Sequence, residues 1–104
     1  MGALVPMLWP LEVANVLLMA ERRHRIVSAE RSQALGWFAA LPIEIDYEAA
    51  HPAWADLPAL AVQHRLTAYD AAYLELARRR GLPLATLDQE LAAAARAEGL
   101  GVLT

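Results

Sequence analysis

Cysteine is absent from this 104-residue chain, and so is lysine: all nine basic residues are arginine. The first absence excludes disulfides and thiolate metal sites, and makes a reducing compartment, the cytoplasm, the natural setting. The second reads as a genomic habit, though planar, permanently protonated guanidinium groups also suit phosphate recognition. A net charge of −3 argues against a broad basic footprint for nucleic acid, while leaving room for a local basic patch around an acidic centre. Long apolar runs are missing too. Residues 13–20 are broken by Asn15 and followed at once by charges, so no membrane span is expected. The apolar N-terminus lacks a basic leader and a clear cleavage site and is read as part of the fold. The chain has no glycine-rich phosphate loop, no G-x-S-x-G and no nucleophile–base pair.

What remains is strongly apolar, 58% hydrophobic against 20% charged, which is enough for one small core and predicts a single domain over 1–104. The stretch that organises it is 66–88, LTAYDAAYLELARRRGLPLATLD. Thr67 is a good N-cap and Asp70 falls at the third helical position. Gly81 stands where a helix ends in a left-handed residue. Residues 82–87 suit a short buried strand, and Asp88 then caps another helix.

Elsewhere, 3–9 reads as a strand, 11–23 as a helix with Pro10 in its first turn, and Ser28 as the N-cap of a helix reaching Ala40. Ile43, Ile45 and Tyr47 alternate with Glu44 and Asp46, the pattern of an edge strand with Asp46 facing water. From Glu48 to Arg65 the chain turns helical, with Trp54, Leu57, Ala61 and Val62 as a face and Pro58 forcing a kink or two short helices. An alanine-rich helix, 89–98, ends at Gly99, and 101–104 is a last strand. The order β-α-α-β-α-α-β-α-β predicts an α/β fold, a parallel sheet of four strands with helices on both faces.

Three acids stand out: Glu12, Asp70 and Asp88. Each is predicted in the first turn of a helix, and strand C-terminal ends in such sheets line one edge where ligands bind. Converging carboxylates repel unless a hard cation such as Mg²⁺ or Mn²⁺ sits among them. Each acid also has a plain reading, because carboxylates favour any first helical turn through capping and the macrodipole. Asn15 lies one turn beyond Glu12, and Thr86 two residues before Asp88; each can orient a carboxylate, or Thr86 can simply help the cap. Arg78, Arg79 and Arg80 complement a helix C-terminus, with contact to RNA as the other reading. His24, His51 and His64 lack metal-ligand spacing and read as surface residues. Trp9, Trp37 and Trp54 read as core or interface aromatics.

The 66–88 stretch, with its Tyr-Asp-Ala-Ala-Tyr-Leu and Thr-Leu-Asp runs, resembles the PIN-domain ribonucleases, in particular the VapC toxins of toxin–antitoxin pairs. VPMLWPLEVANVLL resembles the part of those proteins that carries a Glu followed by an Asn. The resemblance runs over nearly the whole chain. It implies a metal-dependent endoribonuclease in which Glu12, Asp70 and Asp88 are catalytic and hold Mg²⁺ or Mn²⁺, with Asn15 and Thr86 in support. It implies an RNA substrate, a VapB-like antitoxin as partner and a homodimer.

One departure follows from the same resemblance. Such proteins begin with a strand ending in an Asp, and this chain has no matching segment, so the expectation is an N-terminally truncated PIN-like fold. Three outcomes are open: a fragment of a longer toxin, two half-sheets that close directly, or a gap filled by another chain. The alternative function is a catalytically impaired remnant that keeps antitoxin-binding or dimerisation surfaces.

Overall fold

The computed structural model of the chain describes residues 2–48 and 51–104. Its elements run β1 (Ala3–Pro6), α1 (Leu8–Arg22), α2 (Ser28–Ala40), β2 (Ile43–Asp46), a 3₁₀ turn (Pro52–Trp54), α3 (Asp56–His64), α4 (Ala68–Arg80), β3 (Leu84–Ala85), α5 (Gln89–Ala97) and β4 (Val102–Leu103). The fold is α/β, helix-rich with four short strands, consistent with a PIN-like chain. The strands pair as two two-stranded sheets, β1–β2 and β3–β4, rather than as one ladder of four. Two compact units result, Met1–Ile45 and Asp46–Thr104.

In the first unit, α1 begins at Leu8, so the expected strand over 3–9 is shortened by the helix that takes Leu8 and Trp9. Pro10 still falls in the first turn, where its missing N–H costs nothing. Ser28 is the first helical residue of α2 and not its cap. Val27 is the extended residue before it, and Val27 N–H donates to Glu30 Oε1 at 3.0 Å. Leu41, extended because Pro42 follows, ends α2. Trp9 meets Phe38 edge to face with ring centroids 6.0 Å apart, and Arg31 pairs with Glu21, so an aromatic and an ionic contact both join α1 to α2.

The second unit holds the core. Leu60, Leu74, Ala77, Leu84, Leu91, Ala94 and Ala95 form one buried cluster, with Leu66, Tyr73, Leu100 and Val102 packed around it. The alanines are small enough to bring α4 and α5 close, and Leu74 fills the centre. Pro58 is tolerated as the third residue of α3. The stretch from Glu48 breaks at Ala55, between the 3₁₀ turn and α3, and not at Pro58 as expected, because the first turn of a helix accepts a proline; Ala49 and Ala50 lie outside the described residues. The expected apolar face is corrected. Trp54 and Val62 are exposed, and Leu57 and Leu60 are the buried pair, because the helix starts only at Asp56 and leaves Trp54 outside its periodicity.

Both later helices stop in the same way. Gly81 (φ +63°) and Gly99 (φ +79°) adopt the left-handed conformation, and the next residue donates back across the last turn, Leu82 N–H to Ala77 O and Leu100 N–H to Ala95 O, each at 2.9 Å. A strand starts three residues after each glycine. β3 and β4 pair in parallel with Leu84 opposite Val102 and Ala85 opposite Leu103.

Candidate acidic site

Two of the three expected acids lie in the second unit, and local hydrogen bonds set both. Thr67 caps α4, its Oγ1 accepting the backbone N–H of Asp70 at 3.1 Å. Asp88 caps α5, its Oδ1 accepting from Glu90 N–H at 2.8 Å and Leu91 N–H at 3.2 Å. Thr86 Oγ1 in turn accepts the Asp88 N–H at 3.0 Å, so the expected pairing of Thr86 with Asp88 is present as a turn-forming bond before the cap. α4, about 20 Å long, ends at Gly81, and the two-residue strand β3 lies between that glycine and Asp88. Asp88 is exposed and Asp70 half-buried.

Glu12 is in the first unit. It is the fifth residue of α1, in the second turn, and the first turn holds no acid. The expectation of a first-turn Glu12 fails because the helix starts at Leu8. Glu12 and Asn15, one turn apart, are both exposed. Glu12 lies on the rim of an apolar groove of about 340 Å³ lined by Trp9, Val13, Val16, Leu17 and Phe38. Among the described residues, no three His, Asp or Glu side chains gather in a group able to hold a metal ion.

The arginines divide. Arg79 points inward and meets three carboxylates. Its Nε and one terminal nitrogen donate to Glu75 at 2.8 and 2.9 Å, its two terminal nitrogens reach Asp46 at 3.1 and 2.8 Å, and one also reaches Glu48 at 3.3 Å. Five hydrogen bonds engage all five guanidinium N–H groups. Asp46 and Glu75 are each only 4% exposed. Asp46, read from the alternation as facing water, is thus a buried anchor. The hydrogen bonds from Arg79, reinforced by its charge, hold the Asp46 carboxyl below its ordinary range against the opposing effect of burial. The bonds to Glu75 and then to Asp46 raise Arg79 in the same way. Arg78 and Arg80 are exposed, and Arg78 approaches Glu98 at 3.6 Å. His64, read as a surface residue, is largely buried and shares a 2.9 Å hydrogen bond with Glu98.

The sequence signal for the Arg79 cluster was half present, since Glu75 and Arg79 are spaced four apart on a helix. Asp46, 33 residues away, gave none. No helix among the described residues is long and apolar enough to cross a membrane.

No protein-family model matches the chain. It is 40% identical over 85 residues to ribonuclease VapC3 of Pyrobaculum aerophilum, across 78% of its own length. The chain spans 62% of the length of that relative.

Proposed function

The chain is VapC-like over 78% of its length, and on that premise we propose that it acts as a metal-dependent endoribonuclease, the toxin of a pair whose antitoxin is VapB-like. The observation that carries this reading is the capped helix–strand–helix of the second unit, which holds Asp70 and Asp88 at the starts of α4 and α5. Capping gives each carboxylate a fixed origin. The Asp88 hydrogen bonds are all drawn through Oδ1, and Thr86 fixes the backbone that carries it.

The donor chemistry suits Mg²⁺ or Mn²⁺, which are held by one or two carboxylates and complete their shells with water and substrate phosphate. Within the second unit, Asp70 and Asp88 would hold the ion. When bound, such an ion lowers the pKa of a water and neutralises charge at a phosphodiester. The protein's own share is to fix where the two carboxylates stand, one in the first turn of α4 and one at the cap of α5. The exposed Arg78 and Arg80 are left to steer RNA, whereas Arg79 is committed to Asp46 and Glu75. We propose that residues 1–104 act as one domain and that the active form is a homodimer in the cytoplasm.

The test is cleavage of structured RNA with Mg²⁺ present. Cleavage is expected to stop on chelation and to fall at least about 100-fold, about 2.7 kcal/mol of barrier, in Asp70→Asn. Cleavage that survives both overturns the proposal. A second reading, an impaired remnant that keeps antitoxin-binding or dimerisation surfaces, draws on the lack of a three-acid group among the described residues. Antitoxin binding without any metal-dependent cleavage would favour it.

A further inference from the structure

The two residues that immediately precede the acids of the second unit are apolar and turned outward. Tyr69 is 68% exposed and Leu87 is 88% exposed. Neither exposure follows from helix capping. At α4, the residue before the cap, Leu66, packs against the core as a hydrophobic staple should. At α5 the equivalent residue is Leu87, and it stays in solvent. Tyr69 shares a helical face with Tyr73, four residues on. Tyr73 packs against the buried cluster, and the core ends before Tyr69 is reached. The start of α4 therefore presents an aromatic ring beside Asp70 that the fold does not use.

We infer that Tyr69 is a stacking platform for one unpaired RNA base next to the phosphodiester approached by Asp70 and Asp88, with Leu87 as an apolar wall on the Asp88 side. This rests on the nuclease reading for the identity of the ligand. A ring face accepts any base, so the contact selects an unstacked, single-stranded nucleotide over a paired one and carries little sequence preference. Tyr69 acts on binding and on the choice of strand form, and has no part in moving protons.

The test measures binding of the full chain in EDTA, where cleavage cannot interfere, by fluorescence anisotropy. The probe is a labelled single-stranded RNA of about 12 nucleotides, compared with the same strand annealed to its complement. Tyr69→Ala is expected to weaken single-strand binding about tenfold while Tyr69→Phe stays within about twofold, since the ring and not the hydroxyl makes the contact. The single strand should outcompete the duplex in the parent, and Tyr69→Ala should erase that preference. Photocrosslinking of 5-iodouridine-substituted RNA to the unaltered chain should map to the peptide that contains Tyr69, a result that does not depend on how a variant folds. Parent-like affinity in Tyr69→Ala, an equal loss in Tyr69→Phe, or a crosslink map that omits Tyr69 overturns the inference. Asp70→Asn separates it from the nuclease proposal: that variant, relieved of a carboxylate that repels phosphate when no metal is present, should bind the single strand in EDTA at least as tightly as the parent and lose cleavage in Mg²⁺.

Discussion

The two units of this chain hold comparable helices and very different interiors. Neither α1 nor α2 has a single buried residue, and Leu11, Val16 and Trp37 are exposed. In the second unit, α4 buries six residues and α5 four around a fully buried Leu74. Helix formation is thus no measure of a core. The first unit's helices share an edge-to-face aromatic contact and an ion pair, and leave open a groove of about 320 Å³ lined by Trp9, Val13, Leu35, Phe38, Leu41 and Ile45. The second is closed by small-residue packing and a saturated arginine. The acids follow the same division: Asp70 and Asp88 stand on the well-packed frame, Glu12 on the sparse one.

Three paired measurements would break or sharpen that contrast. The largest effect is expected for Arg79→Ala, which strands Asp46 and Glu75 as buried, unpaired charges and should cost about 3–5 kcal/mol in a urea titration. Arg79→Lys should recover only part of this, because an ammonium cannot reproduce five planar donors. Acid reports on the same cluster. The folded-state pKa of Asp46 is depressed, so its contribution is complete above the ordinary carboxylate value and is lost as pH falls through the lower folded value, below about pH 4. An Arg79→Ala chain as stable as the parent would show that the cluster does not hold the second unit together.

Next is Leu74→Ala, expected to cost about 2–5 kcal/mol, against Leu11→Ala on exposed α1, expected within about 0.5 kcal/mol. Amide exchange should agree, with α4 and α5 protected far longer than α1 and α2. Equal costs at the two leucines would place the same packing in both units. The smallest contrast is at the helix starts. Thr67→Ala removes a cap and should cost about 1 kcal/mol, whereas Ser28→Ala removes a first-turn hydroxyl that does no capping and should cost no more than about 0.3 kcal/mol by thermal melt.

Legibility in the sequence follows the range of each interaction. Thr67, Gly81 and Asp88 were readable because each acts within a few residues of itself, and all three are where capping rules put them. The four strands and the element order were readable for the same reason. Glu12 shifted from the first turn to the second because Leu8 and Trp9 joined the helix, a choice that β-propensity of an apolar run does not decide. Asp46 was misread because strand alternation assigns a side, whereas what lies on that side depended on a guanidinium 33 residues later. Trp54 and His64 exchanged their expected places for the same kind of reason: burial is decided by distant partners, and neither residue names its own. Of the candidate site, the local geometry at Asp70 and Asp88 was legible, and the commitment of Arg79 to a structural cluster was not.

The matched glycine stops have one more consequence. Gly81 and Gly99 each sit three residues ahead of a strand, and the pairing of Leu84 with Val102 keeps the same offset of 18 that separates the two glycines. The parallel register is therefore counted out from the ends of two helices, like two rulers laid with their zeros aligned. Composition between glycine and strand is free to vary, as Leu-Pro and Leu-Gly already do. Length is not: one residue added to either spacer would slide one strand by a position and turn its inward side chain, Leu84 or Val102, to the opposite face. Because Asp88 lies four residues beyond Leu84, the same count that registers the sheet also sets how far the second carboxylate is carried along it.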